Sequence, residues 1–250
     1  MDSDRTTAQP SRTNALKLRF NENGLEAFTG PEAIKLLLGY AGVKDASGAA
    51  TRLTQAGAGR GLRALFDAPE EALVAGAGGS GALLVKVVKA LGALYLKERL
   101  IGREISAQPG PLRDYLILTL GSERVEKFVA VFLDAASNAM GVEVLHVGTI
   151  NQTAVYPRVC VEAAIRRRAA GLIFAHNHPS GDPTTSAQDR LLMGHLDRAA
   201  DAVGLTVYDH LIVGRGKVFS FRDEGGWRME RQSETEKTRV PQPRKRKDRP

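Results

Sequence analysis

The spacing of apolar residues along the chain changes character once. From about Leu16 to Arg103 it is helical. "GPEAIKLLLGYAG" carries Pro31 near a helix start and glycines at its end. "SGAATRLTQAG" and "RGLRALFDA" read as short helices set apart by glycines, and "APEEALVAGAG" puts Pro69 and two acids in a first turn. A long helix follows, with Leu83, Leu84, Val87, Val88, Leu91 and Leu94 on one stripe. The pair of Pro-Gly steps in "QPGP" (108–111) marks a boundary. Beyond it, "LRDYLILTL" leans to helix. "EKFVAVFLD", "VEVLHVG", "LIFAHNHP", "LTVYDHLIVG" and "KVFSFRD" read as strands. Between them, "PRVCVEAAIRRRAAG" reads as a helix running from Pro157 to a stop at Gly171, and "SAQDRLLMGHLDRAADAVG" as one ending at Gly204. The expected organisation is a disordered stretch over 1–15, a small all-helical domain over 16–107, an α/β domain over 108–225 and a disordered tail over 226–250.

Composition and charge refine this picture only at the edges. The chain has 250 residues and a net charge of +7, but its last twelve residues hold six Lys/Arg and one Asp, so +5 of that charge belongs to the tail and +2 to the rest. Such a tail can contact nucleic-acid phosphates weakly, or simply keep the chain solvated. The polar start, "MDSDRTTAQPSRTN", lacks the apolar core of a signal peptide, and no run of about 18 apolar residues is seen, so a cytoplasmic protein without a membrane span is expected. The single cysteine, Cys160, rules out an intramolecular disulfide and a cysteine-based zinc site, and is expected to be packed against a helix face. Oligomeric state is left open.

The chemistry concentrates in "HNHPSGDPTTSAQD", residues 176–189. On a strand His176 and His178 share a face, with Cα atoms about 6.5–7 Å apart, while Asn177 points the other way. The "PSGDPTT" run must turn sharply. A helix then begins near Ser186 and can return Asp189 over the strand end. Two His and one carboxylate leave a fourth position for water, the arrangement of catalytic rather than structural zinc. The same donors also suit iron, manganese or nickel. Ser186-x-x-Asp189 is at the same time a capping-box pattern. His195 falls on another part of its helix. His210, on a neighbouring strand, suits a supporting role behind the ligands. The letters "HNH" do not make an HNH nuclease, and one cysteine excludes the deaminase H-x-E…P-C-x-x-C set.

The stretch matches the JAMM (MPN+) metalloprotease signature, His-x-His-x7-Ser-x-x-Asp, with seven residues, Pro179 to Thr185, between His178 and Ser186. The wider run "GTINQTAVYPRVCVEAAIRRRAAGLIFAHNHPSGDPTTSAQD…VYDHLIVG" resembles the bacterial RadC family. That resemblance implies an α/β fold of the JAMM/MPN type, related to cytidine deaminases, with a mixed sheet flanked by helices. It implies one Zn2+ per chain on His176, His178 and Asp189. Ser186 would stabilise the oxyanion, and Glu126 would be the general acid/base, a choice that periodicity alone does not make over Glu123, Glu143 or Glu162. The implied activity is hydrolysis of a peptide or isopeptide bond in a protein or peptide substrate by a zinc-activated water. The family also has a DNA-repair association, so a DNA-associated protein with a structural or idle metal site is the alternative. "GAGGSGALLVKVVKAL" (76–91) resembles a helix-hairpin-helix, whose Gly76-x-Gly78 turn would face a phosphate. Two departures stand out: Gly81 where relatives usually have a lysine, and Val159 where they usually have glutamate after "PR".

Overall fold

The computed structural model describes residues 12–56, 61–105, 108–150 and 155–224. The chain divides into two compact units between Arg99 and Leu100. The expected disorder at 1–11 and 226–250 lies outside the described residues. Residues 12–15, expected to be disordered as well, form the first turn of helix α1 (Arg12–Asn23).

The first unit is helical: α1, α2 (Gly30–Tyr40), α3 (Ala46–Ala56), α4 (Leu62–Phe66) and most of α5 (Glu70–Leu100). Ile34, Leu38, Ala49, Leu53, Leu65 and Val85 form its core. Pro31 sits in the first turn of α2, as its fixed φ favours. In that turn the Glu32 carboxylate accepts hydrogen bonds from Thr29 N and Thr29 Oγ1, both at 2.9 Å, and meets Arg19 at 2.8 Å. These contacts, the Thr29 backbone N–H first, push the Glu32 carboxyl down to about 2 from the ordinary 4.5. Its support of α2 is therefore complete above about 4.5 and disappears as pH falls through about 2. An NMR titration should find the Glu32 side chain still ionised at pH 3; a midpoint above 4 would contradict the contact geometry.

Helix α5 is two helices joined at Gly78, whose φ of 71° and ψ of 174° break the hydrogen-bond ladder. The side of α5 that packs inward carries Leu73, Ala77, Ala82 and Val85, whereas Leu83, Val87, Leu91 and Leu94 of the expected stripe are exposed. Gly81 belongs to the packed side. A Cβ there would stand 2.7 Å from the Ala77 Cβ and 3.1 Å from Val43 Cγ2, so close packing accounts for the absence of a lysine. Among the described residues α5 is the one helix long and apolar enough to cross a membrane by length and composition, contrary to the expectation that no such stretch exists; most of that stretch is exposed. Lys86 and Lys89 interrupt it, which is why a search for an unbroken apolar run passes over it.

The second unit begins earlier than the Pro-Gly boundary suggests. Leu100 and Ile105 are buried in its core, and Gly102 N, Ile105 N and Arg103 O bond to the turn and strand start at Ser137–Ala139. The unit contains α6 (Gly110–Leu120), β1 (Lys127–Leu133), β2 (Ala139–Val147), α7 (Pro157–Arg166), β3 (Gly171–Asn177), α8 (Ala187–Asp201), β4 (Thr206–Val213) and β5 (Val218–Ser220). The sheet order is β2-β1-β3-β4-β5, antiparallel except for the β3–β4 pair. A mixed sheet of this kind needs helices on both faces. Helices α7 and α8 cover one with Cys160, Ala163, Ala164, Leu192, Met193 and Leu196. On the other, α6 packs Leu112, Leu116 and Leu120, one per turn. Helix α7 stops at Arg166, before the expected glycine, because Arg168 takes up a left-handed φ of 54°. Gly171 instead opens β3, where a Cβ would strike the Tyr208 ring at 2.4 Å.

Candidate metal centre

His176 is the last but one residue of β3, and His178 lies just past its end. The chain reverses at once. Gly181, at φ 87°, donates its N–H to His178 O at 2.8 Å, and Asp182 Oδ1 accepts from Thr184 N and Oγ1. This turn orients the second histidine: His178 Nδ1 lies 2.9 Å from the Asp182 carbonyl oxygen. A carbonyl only accepts, so Nδ1 carries the proton and Nε2 keeps a free lone pair. His176 is fixed from behind, its Nδ1 lying 2.6 Å from Nε2 of His210 on β4.

Ser186 caps α8. Its Oγ accepts from Asp189 N at 3.1 Å, while Ser186 N and Oγ both donate to Asp189 Oδ2 at 2.7 Å. The cap holds the carboxylate over the strand end. Asp189 Oδ1 is 3.1 Å from His176 Nε2, Asp189 Oδ2 is 3.5 Å from His178 Nε2, and the two Nε2 atoms are 3.1 Å apart. Ligands about 2.0–2.1 Å from a tetrahedral ion lie about 3.3 Å from one another, so the two Nε2 atoms with one Asp189 oxygen, all within 4.8 Å of one another, suit a divalent metal. His176 and Asp189 are buried and His178 is half-buried, so the cluster opens on the His178 side.

The electrostatics follow from the same contacts. Burial raises the Asp189 carboxyl, but the hydrogen bonds with His176 and His178 outweigh it and hold it far below the usual carboxylate range. His178 is shifted upward, mainly by its hydrogen bond with Asp189 and against its partial burial. His210 is driven well below the ordinary histidine value, first by complete burial and then by its histidine neighbours. It is therefore neutral and can accept the His176 proton, with its own Nδ1 against Met193 Sδ. Because a ligand's orientation depends on this partner, His210→Ala is expected to weaken metal binding about 10- to 100-fold, measured by competition titration with a chromogenic chelator. Unchanged affinity would show that His176 is held by packing alone.

Among the carboxylates left open by periodicity, Glu126 is the one brought to the cluster. Strand β1 pairs Phe128 with His176, and continuing that antiparallel register by two residues sets Glu126 opposite His178. Its charge is near enough to raise the His178 value, and its Oε2 accepts from Ile150 N at 2.6 Å. The others are paired elsewhere: Glu123 with Lys127, Glu143 with Arg167, and Glu162 with Arg158, all at 2.7 Å. Ser186 is within the cluster, but its hydroxyl proton is directed at Asp189 Oδ2. His195 stays outside, half-buried farther along α8. Cys160 is packed in the core, its thiol pushed up to about 12 by burial.

Asn177 has more to do than its place between two ligands suggests. Fully buried, it accepts from Lys127 N at 2.8 Å and donates to Glu123 O and Val125 O at 3.2 Å. It thereby ties down the segment that carries Glu126. The only sequence signal for this was the alternation of strand faces, which says where Asn177 points but not what it meets. Asp209 closes the far side of the sheet, accepting from Ser220 Oγ at 2.6 Å and Arg222 N at 3.0 Å.

A mixed sheet flanked by helices, with two histidines at the end of one strand and an aspartate on the following helix, defines a JAB/MPN-type domain. The family described as "RadC-like JAB domain" matches residues 106–227. A UPF0758 protein of Nitrosospira multiformis is 40% identical over 168 residues, which cover 66% of this chain and 75% of the relative. Another, from Rhodobacter capsulatus, is 34% identical over 84% of this chain and 99% of its own length. A third, from Chromobacterium violaceum, is 37% identical over 77% and 86%. The chain belongs to the RadC family.

Proposed function

We propose that this protein is a zinc-dependent hydrolase of the JAMM type, acting on an amide bond of a protein or peptide. The observation that carries this reading is the convergence of His176 Nε2, His178 Nε2 and Asp189 at 3.1–3.5 Å, with the Glu126 charge close enough to act on His178. His176, His178 and Asp189 would hold one Zn2+. A bound zinc supplies a Lewis acid for the carbonyl and lowers the pKa of a coordinated water to about 7. Glu126 accepts a proton from the attacking water and returns it to the leaving amine. The Ser186 hydroxyl would be the donor for charge developing on the carbonyl oxygen once its proton turns away from Asp189 Oδ2, the acceptor it has here. His210 and the capping box keep the ligands from turning, and Asn177 keeps the Glu126 segment in register.

The test is turnover by zinc-loaded full-length protein on a library of internally quenched peptides and on isopeptide-linked lysine substrates. Cleavage that stops on chelation and returns with zinc is expected. Cleavage insensitive to chelation would contradict a metal-dependent mechanism, and none with zinc bound would move the reading to a DNA-associated protein with an idle metal site.

A further inference from the structure

Strand β2 contains a register shift between Phe128 and Val129 of its partner. Phe128 pairs with His146 and Val129 with Val144, so Leu145 and His146 together oppose Phe128. A bulge of this kind re-aims side chains. Here His146 lies on the sheet face that carries Phe128 and His176, and Leu145 packs against the core beneath α7 and α8. Between the bulge and the start of α7 is an open pocket of about 400 Å³, lined by Leu145, His146, Val155, Tyr156, Val159 and Cys160. Five of these are apolar or aromatic, and the protonated Cys160 thiol adds no charge. The one imidazole is His146, whose Nε2 is buried and has no hydrogen-bond partner among the described residues. A buried polar atom without a partner is costly unless something binds to it.

Two observations place the pocket relative to the metal centre, the first a separation measured through the buried Phe128. His146, Phe128 and His176 form one row across β2, β1 and β3. With strands about 4.8 Å apart, His146 is about 10 Å from His176 on the same face. The segment leading from β2 also touches the Glu126 residue twice, through Gly148 N to Glu126 O at 2.9 Å and Ile150 N to Glu126 Oε2. A molecule that reaches both places must span about 10 Å, which takes about three residues of extended polypeptide and exceeds a simple amide.

We infer that this pocket is a substrate subsite that receives an apolar side chain of a polypeptide, about three residues from the scissile bond, with His146 Nε2 bonding to the peptide backbone. The assignment as a subsite rests on the hydrolase reading. Val159, at the rim, makes the pocket apolar where a glutamate would make it anionic.

Full-length protein should be titrated by NMR with two probes, N-acetyl-Gly-Leu-Gly-amide and N-acetyl-Gly-Asp-Gly-amide, following the His146 ring and Val159 methyl signals. The leucine probe is expected to shift both saturably, at least about tenfold tighter than the aspartate probe. Val159→Glu, on an exposed position, should cut the leucine affinity by a similar factor. Equal binding of the two probes, or no shift with either, overturns the inference. Because the readout needs no turnover, leucine-selective binding without any cleavage would retain the peptide pocket and remove the hydrolase reading instead.

Discussion

Glu126→Gln is expected to leave metal uptake intact and to lower hydrolysis about 100- to 10,000-fold, the range typical of losing a general base. Glutamine keeps the shape of the side chain and can still accept from Ile150 N through its amide oxygen. It cannot take a proton from water. Metal content and turnover of the same preparation, measured together, separate the two effects. If Glu126→Gln kept both metal and full turnover, the proton acceptor would have to be another group. If it lost the metal, Glu126 would be a ligand, which its absence from the His176–His178–Asp189 group does not suggest.

Phe128→Ala is expected to be the most damaging single core change near the site. Phe128 is fully buried on β1 in the row between His146 and His176, with ring centroids 5.3 Å from Phe174 and 5.8 Å from His210. Truncating a buried phenylalanine costs about 3–5 kcal/mol, and the cavity would open directly beside the His210 ring that orients His176. Urea unfolding followed by hydrogen exchange at β1 and β3 amides should show that loss, together with weaker metal binding. A loss below about 1 kcal/mol would mean that the sheet closes over the cavity and that the row is not the support described here.

Much of this was legible in the sequence. The strands β1, β3 and β4 are short apolar runs bounded by turns, and α8 carries its own start signal in Ser186 and Asp189. The candidate ligand cluster was legible because both its parts are local: two histidines two residues apart at a strand end, then a helix cap after the turn. What could not be read depends on register between strands. Periodicity treats Glu123, Glu126, Glu143 and Glu162 alike, and only the β1–β3 pairing of Phe128 with His176 brings the strand start that follows Glu126 to the histidine end of β3. The Asn177 clamp and the Leu145–His146 bulge are long-range in the same sense. The exposed stripe on α5 shows the opposite limit. Helical spacing located an apolar face correctly, yet α5 packs into the unit through Leu73, Ala77, Ala82 and Val85 instead.

The most direct test of the central claim is elemental analysis of protein purified without a histidine tag, beside the His176→Ala/His178→Ala double variant. The account predicts about one zinc per wild-type chain and none in the variant, with both folded by circular dichroism. A wild-type chain that holds no metal and takes up none when zinc is added would contradict it, and would leave "HNHPSGDPTTSAQD" as a strand end, a turn and a helix cap.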